Sequence, residues 1–314
     1  MKRFAMLLIG IGLCGCVEGA GERRFASLGT AGTGGIYYPL GGALARMIGE
    51  AVPGLQVTAE VTGGSVENLN RVASGEMDVG MAIATTLVQA GRGADRERYA
   101  AIRIIAPLYP NVAHVLAAAG LQIDSLSEAG GLRVSIGAAG SGTEQMAREI
   151  LAAYQLTVDD IRPQYLSFAE SARALRDGAI DIAILSVGYP AAAVLEATTT
   201  GGVRLLAITP APLRALRAAH DYYDGSEIPL GIYPGTRLAV PTASVLNWLF
   251  AREDLADEIV VALLDALRDR GEELATVNAI ARQIDLDALA RTPLPLHEAT
   301  IEWLRASPPA TPGT

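Results

Sequence analysis

An α/β protein of two similar lobes, each an α/β sandwich and the pair joined by a two-crossing hinge, is what this sequence predicts. Three observations predict it. The hexapeptide Gly-x-Ala-Gly-(Ser/Thr)-Gly occurs at residues 29–34 and again at 137–142. A second pattern repeats in step, Gly75-Glu76-Met77-Asp78-Val79-Gly80 against Gly178-Ala179-Ile180-Asp181-Ile182-Ala183. Around both pairs, short apolar runs alternate with segments of helical period.

The elements follow in order. Residues 1–15 read as an export signal: Lys2-Arg3 supply the positive start, and the apolar stretch Phe4–Leu13 is too short to span a bilayer. It ends in Leu13-Cys14-Gly15-Cys16, which resembles a lipobox with Cys16 as the acylated new N-terminus; signal cleavage after Gly19 is the alternative. The first lobe is expected over 22–111, completed by 209–306. Within it Phe25–Gly29 reads as a strand, Pro39–Gly49 as a helix and Leu55–Val61 as a second strand. Val66–Ser74 reads as a helix closed by Gly75, and Val79–Ile83 as a buried strand with Thr85-Thr86 capping the helix after it. The second lobe, 112–208, repeats the plan. Leu132–Ile136 and Ile161–Tyr165 read as strands around a helix over Thr143–Tyr154. A helix capped by Ser167 then runs to Arg176, Ile180–Leu185 is a buried strand, and Ser186-Val187-Gly188 turns toward the next helix. Hinge segments are expected at Asn111–His114 and Ala207–Thr209, with the return crossing near Leu205–Pro212. Leu255–Leu274 reads as one long amphipathic helix packed on the first lobe, and the Pro-rich tail 307–314 as disordered.

Composition removes several function classes. The 314 residues carry a formal charge of −9, which argues against nucleic acid or an anionic membrane surface as partner. Lys2 is the only lysine, so a Walker-type phosphate loop is excluded. Both cysteines lie in the export segment, leaving no disulfide or cysteine metal site in the mature domain. His114, His220 and His297 sit in unrelated contexts, no metal-ligand spacing occurs, and no Gly-x-Ser-x-Gly elbow is present. No cofactor and no catalytic set are expected. Asp78 and Asp181 stand just before buried strands and read as turn or cap residues. The loop at 32–34 begins a dinucleotide fingerprint, but the third glycine would fall at Tyr37.

What remains is anion chemistry. A strand that enters a helix through glycines aims several backbone N–H groups at one point, and the helix dipole favours a carboxylate or phosphate there. Two such loops in two lobes can face one cleft. Tyr37 and Tyr38 are read as lining its mouth, held there by Pro39.

Five stretches are together similar to the TAXI family, the solute-binding subunits of TRAP (tripartite ATP-independent periplasmic) transporters. They are LGTAGTGGIYYPLGGALAR (28–46), TGGSVENLNRVASGEMDVGMA (62–82), APLYPNVAHVLAA (106–118), IGAAGSGTEQMAREIL (136–151) and LPLHEATIEWLR (294–305). The resemblance implies a two-lobed periplasmic binding protein of type II-like plan. It implies a non-enzymatic monomer that clamps a small carboxylate or amino acid, such as glutamate or 2-oxoglutarate, and hands it to the membrane permease subunits. The contacts it implies in the first loop are Thr30, Gly32, Thr33, Gly34 and Tyr37. Gly63, Gly64, Ser65 and Asn68 follow, with Thr85 after the third strand. The other lobe supplies Ser141, Gly142 and Thr143, and Ser186, Val187 and Gly188 at its strand end. An enzyme acting on a small carboxylate and a sensor without transport are the competing readings.

Overall fold

The computed structural model describes residues 23–199 and 202–306. The expected export signal, Cys16 and the tail from Ser307 lie outside the described residues. In chain order the strands and helices are β1 (Arg24–Gly29), α1 (Tyr37–Ala51), β2 (Leu55–Glu60), α2 (Ser65–Ser74), β3 (Val79–Ile83), α3 (Ala84–Arg92) and β4 (Ile102–Ala117). They continue with β5 (Arg133–Ser135), α4 (Gly142–Ala153), β6 (Arg162–Gln164), α5 (Phe168–Arg176), β7 (Ile182–Val187), α6 (Ala192–Thr199) and β8 (Arg204–Leu206). The rest are α7 (Pro210–Ala219), β9 (Tyr223–Ile228), β10 (Val240–Arg252), α8 (Asp257–Asp269), α9 (Gly271–Val277) and α10 (Glu298–Ala306).

The strands form one ten-stranded sheet in the order β2-β1-β3-β10-β4-β7-β5-β6, with β8 beside β4 and β9 beside β10. The order is a repeat: β2-β1-β3 with β10 on one side matches β6-β5-β7 with β4 on the other. Within each of the sets β2-β1-β3 and β6-β5-β7 the strands run parallel. β10 lies antiparallel to β3 and to β4, and β4 antiparallel to β7. The carboxyl end of β3 (Ile83) pairs with Asn247, and that of β7 (Val187) pairs with Val112. Both lobes therefore point their strand carboxyl ends at the middle of the molecule, where ligands of open α/β sheets bind.

β4 and β10 pass through that middle side by side. Buried residues alternate between the sheet's two faces, as a two-residue period requires. On β10, Leu249 and Ala251 join one apolar cluster while Trp248 and Phe250 join the other; on β7, Leu185 and Val187 oppose Ile182 and Ile184. Each cluster draws on both lobes. The ladder between β4 and β10 is thinned at the crossing. Pro107 and Pro110 of β4 have no N–H to give, and the register slips between Leu246 and Trp248. The Asn247 side chain lies in that gap and donates to the Tyr109 carbonyl at 2.6 Å.

The elements match the expected ones to within a few residues, with four corrections. Residues 205–212 are not the return crossing: β8 pairs with the far end of β4, and α7 packs against α4, so the chain returns only along β10. The expected helix over 255–274 is broken at Arg270, whose φ of −116° ends α8 before Gly271 opens α9; α8 does pack on α1. Thr85 and Thr86 do not cap α3: it starts at Ala84, and its cap position is Ile83, without a side-chain bond. Ser186 and Val187 stay in β7 and do not turn into a helix; α6 begins only at Ala192.

Local signals explain the elements that positioned correctly. Ser167 and Glu170 form a reciprocal capping box on α5, and Ser141 accepts the Glu144 N–H at the start of α4. Gly75, at φ 78°, closes α2 in the left-handed conformation that costs other residues about 1 kcal/mol or more. Asp78 accepts the Ser27 N–H at 2.7 Å and Asp181 the Arg133 N–H at 2.8 Å. Each thus ties the start of its third strand to its first, a structural use in both lobes.

Candidate functional site

Between the carboxyl ends of the two parallel sets lies a cavity of about 430 Å³, in the range of small-molecule sites. Four helix starts converge on it. Ile36 and Tyr37 come from α1, Gly64 and Ser65 from α2, Ser141 to Thr143 from α4, and Ser167 to Glu170 from α5. The first-turn amides of a helix have no preceding carbonyl to bond, so Ser65 and Gly142 bring unsatisfied donors to this region. The protein's own carboxylates hold outer donors of the same turns. Glu67 accepts from Gly63 N–H at 2.7 Å, Glu144 from Gly140 at 2.8 Å and Glu170 from Ser167 at 2.8 Å.

The lobes touch across the cavity. A Cβ on Gly142 would stand 2.6 Å from Ser65 Oγ and 2.9 Å from the Ile83 side chain. One on Gly34 would stand 3.2 Å from the Ala169 nitrogen, and Ala193 N–H donates to the Gly34 carbonyl at 3.2 Å. This is a closed arrangement.

Among the described residues that line the cavity there is no Lys, Arg or His, and Glu170 is the one charged side chain. Its bonds from the Ser167 hydroxyl and N–H hold the carboxyl below the usual glutamate range. The remaining polar wall is hydroxyl and amide, including Thr62, Ser65, Asn111 and Ser186. The aromatic part is Tyr37, Tyr109 and Phe168. Tyr37 and Tyr109 meet edge to face at 6.5 Å, and burial pushes both phenols far up, so both are neutral. The Tyr109 hydroxyl has no hydrogen-bond partner among the described residues.

Beneath this wall runs a buried polar chain. Tyr37 donates to Asn247 Oδ1, and Asn247 Nδ2 donates to Asn111 Oδ1 at 2.9 Å. Asn111 Nδ2 donates in turn to the Ser186 carbonyl at 3.0 Å, with Ser186 Oγ at 3.4 Å. It joins α1, both crossing strands and β7.

Of the residues expected at the site, Gly32, Thr33, Gly34 and Tyr37 line the cavity, as do Gly63, Gly64 and Ser65. From the second lobe Ser141, Gly142, Thr143, Ser186 and Val187 line it too. Four stand behind the wall. Thr30 is buried and donates to the Glu60 carbonyl. Asn68 braces the loops, its amide donating to the Gly29, Thr30 and Met81 carbonyls while its oxygen accepts from Thr62. Thr85 is buried in the first turn of α3, its hydroxyl unpartnered among the described residues. Gly188 makes room for packing: a Cβ there would lie 2.9 Å from both Ile36 and Tyr109. Tyr38 turns outward and is 39% exposed. Sequence reasoning missed Tyr109, Phe168, Glu170 and Asn247. Ser167 and Asn111 were visible only as a cap and a hinge residue.

A model of the NMT1-like family matches residues 28–305. The chain belongs to the NMT1-like family. Solved structures share the fold of this NMT1-like protein at low identity. PhnD1 from Prochlorococcus marinus, in complex with methylphosphonate, is 10% identical with a TM-score of 0.56, over 91% of this chain and 97% of that one. The periplasmic binding protein BugD is 14% identical at 0.55, over 90% and 96%. The alkanesulfonate-binding protein SsuA from Xanthomonas axonopodis pv. citri, bound to MOPS, is 18% identical at 0.51, over 91% and 92%. The NMT1-like chain thus has the α/β, two-lobed architecture of periplasmic binding proteins. Among its described residues no helix is long and apolar enough to cross a membrane, and no group of His, Cys, Asp and Glu is placed to hold a metal ion.

Proposed function

We propose that the protein is an extracytoplasmic solute receptor that closes on a small carboxylate and delivers it to a membrane transporter. The observation that carries this reading is the cavity itself: four helix starts and a ring of hydroxyls converge on one closed space with no cation lining it among the described residues. Helix-start donors and hydroxyls suit a carboxylate held without an ion pair. The resemblance to TAXI receptors supports TRAP permease subunits as the partner and glutamate, glutamine or 2-oxoglutarate as first candidates. The lobes in this reading are 23–111 with 246–306, and 112–245, moving about the crossing strands. The Leu13–Cys16 text supports a periplasmic protein anchored through Cys16; Cys16→Ser is then expected to release it from the membrane fraction.

The methylphosphonate and MOPS in the similar structures favour a second reading, in which the solute is a phosphonate or sulfonate. Native mass spectrometry of the purified mature protein, followed by thermal shifts with carboxylates, amino acids, phosphonates and sulfonates, separates the two. A solute at 100 times its Kd stabilises by about 2.7 kcal/mol. A shift confined to phosphonates or sulfonates overturns the carboxylate reading. Turnover of a bound solute that is lost in Ser141→Ala overturns the receptor reading.

A further inference from the structure

Asn247 is fully buried and is not part of the cavity wall, yet it bonds two residues that are, Tyr37 and Asn111. Donor and acceptor chemistry decides which way both amides face. The Tyr109 carbonyl can only accept, so the nitrogen of Asn247 faces it, at 2.6 Å. That turns Oδ1 toward Tyr37 and makes the phenol the donor. The second N–H of Asn247 goes to Asn111 Oδ1, which turns the Asn111 nitrogen to the Ser186 carbonyl, another group that can only accept. A backbone carbonyl at each end thus holds the pair in one orientation. In that orientation the Ser186 oxygen is met by an N–H, and among the described residues its own O–H donates to no protein group. Ser186 lines the cavity.

We propose that Asn247 is a positioning residue that sets the hydrogen-bond polarity of the cavity floor, leaving Ser186 as a donor to the solute and Tyr37 as a spent one. The floor then selects a solute group that accepts. This deepens the reading of the cavity as the solute site and rests on it.

Asn247→Asp tests the polarity by reversing it. The ionised carboxylate introduced at position 247 accepts from Tyr37 and draws the nitrogen of Asn111 toward itself. The Asn111 oxygen then faces Ser186 and takes its O–H. The titratable groups facing position 247 are the phenols of Tyr37 and Tyr109, both neutral, so a buried carboxyl there is pushed upward and protonates on mild acidification. Once protonated it has one O–H in place of the amide's two N–H groups; donated to Asn111 Oδ1, it returns Asn111 to its original order and leaves only the Tyr109 carbonyl unmet.

Calorimetry with L-glutamate and 2-oxoglutarate reads this directly. Asn247→Asp is expected to bind the better probe about 30-fold more weakly at pH 7.5, with the gap to wild type closing as the pH is lowered to about 5. Ser186→Ala is expected to weaken binding in the wild-type background and to cost nothing more in the Asn247→Asp background. Equal affinity at pH 7.5, a loss that stays at low pH, or additive losses would overturn the assignment. If Asn247→Asp does not fold, Ser186→Ala decides: unchanged affinity overturns it. If wild type binds neither probe, the carboxylate reading fails, and solute-free hydrogen exchange decides Asn247. Exchange over 108–113 should then rise in Asn247→Asp at pH 7.5 and fall back on acidification, and no change at either pH overturns the proposal.

Discussion

The two glycine hexapeptides share a text and are used differently. In the second lobe the loop leads straight into α4: Ser141 is the cap, Gly142 is the first helical residue, and Gly137 and Gly140 stand at φ 92° and 68°. In the first lobe Gly35 and Ile36 intervene before α1, the cap position makes no side-chain bond, and none of Gly29, Gly32 and Gly34 has a positive φ. There the glycines supply space. A Cβ on Gly29 would stand 2.2 Å from Met77 Sδ, and one on Gly34 would press on α5. At the opposite ends of the strands the lobes agree closely, since Asp78 and Asp181 make the same tie between third and first strand. The duplication is kept where it builds the lobes and lost where they face the cavity.

Substitutions can break that comparison, the most damaging first. Gly142→Val should weaken solute binding about 100-fold or more, since its side chain would occupy the space of Ser65 and Ile83 across the cleft. Gly34→Val faces looser neighbours at 3.2 and 3.4 Å and should cost about tenfold. Calorimetry that ranks them the other way would mean that the first loop, not the second, controls closure. Gly140→Ala meets no atom within 4 Å, so its cost of about 1 kcal/mol should be purely conformational and seen in melting without solute.

The Asp pair gives a smaller effect. Asp181 has the Arg133 guanidinium beside it, which holds its carboxyl below the usual aspartate range. A depressed folded value means the stabilisation is complete above the ordinary aspartate range and is lost as pH falls through the folded value. Asp181→Asn should therefore cost about 1 kcal/mol at pH 7, discounted for the half-exposed arginine, and little in strong acid; a pH series of urea melts checks this. Gly32→Ala has neither a positive φ nor a neighbour within 4 Å and should leave melting unchanged. A destabilisation as large as that of Gly140→Ala would erase the distinction between the two loops.

Legibility followed the range of the interactions. The repeat, the strand and helix periods and the caps at Ser141 and Ser167 are local, and they disclosed the lobes and most of the cavity wall. Pairings between distant residues did not show. Asn68 stood in a glycine-rich stretch and read as a contact, yet its amide serves three carbonyls from two strands and a loop. Asn247 gave no signal, because its partners lie 136 and 210 positions away. The return crossing was misplaced for the same reason: β9 and α7 look like a new unit in the chain but pack on the second lobe.

The thinned ladder at Pro107, Pro110 and Asn247 has a mechanical consequence. A uniform pair of long strands would spread any bend along its length and strain every rung a little. Here the missing rungs leave one compliant line between two stiffer plates, and a rotation of the plates would be concentrated within a few residues there. The compliant line also carries the amide that touches the cavity floor. If the lobes rotate about that line, as proposed, the rotation also re-aims the floor.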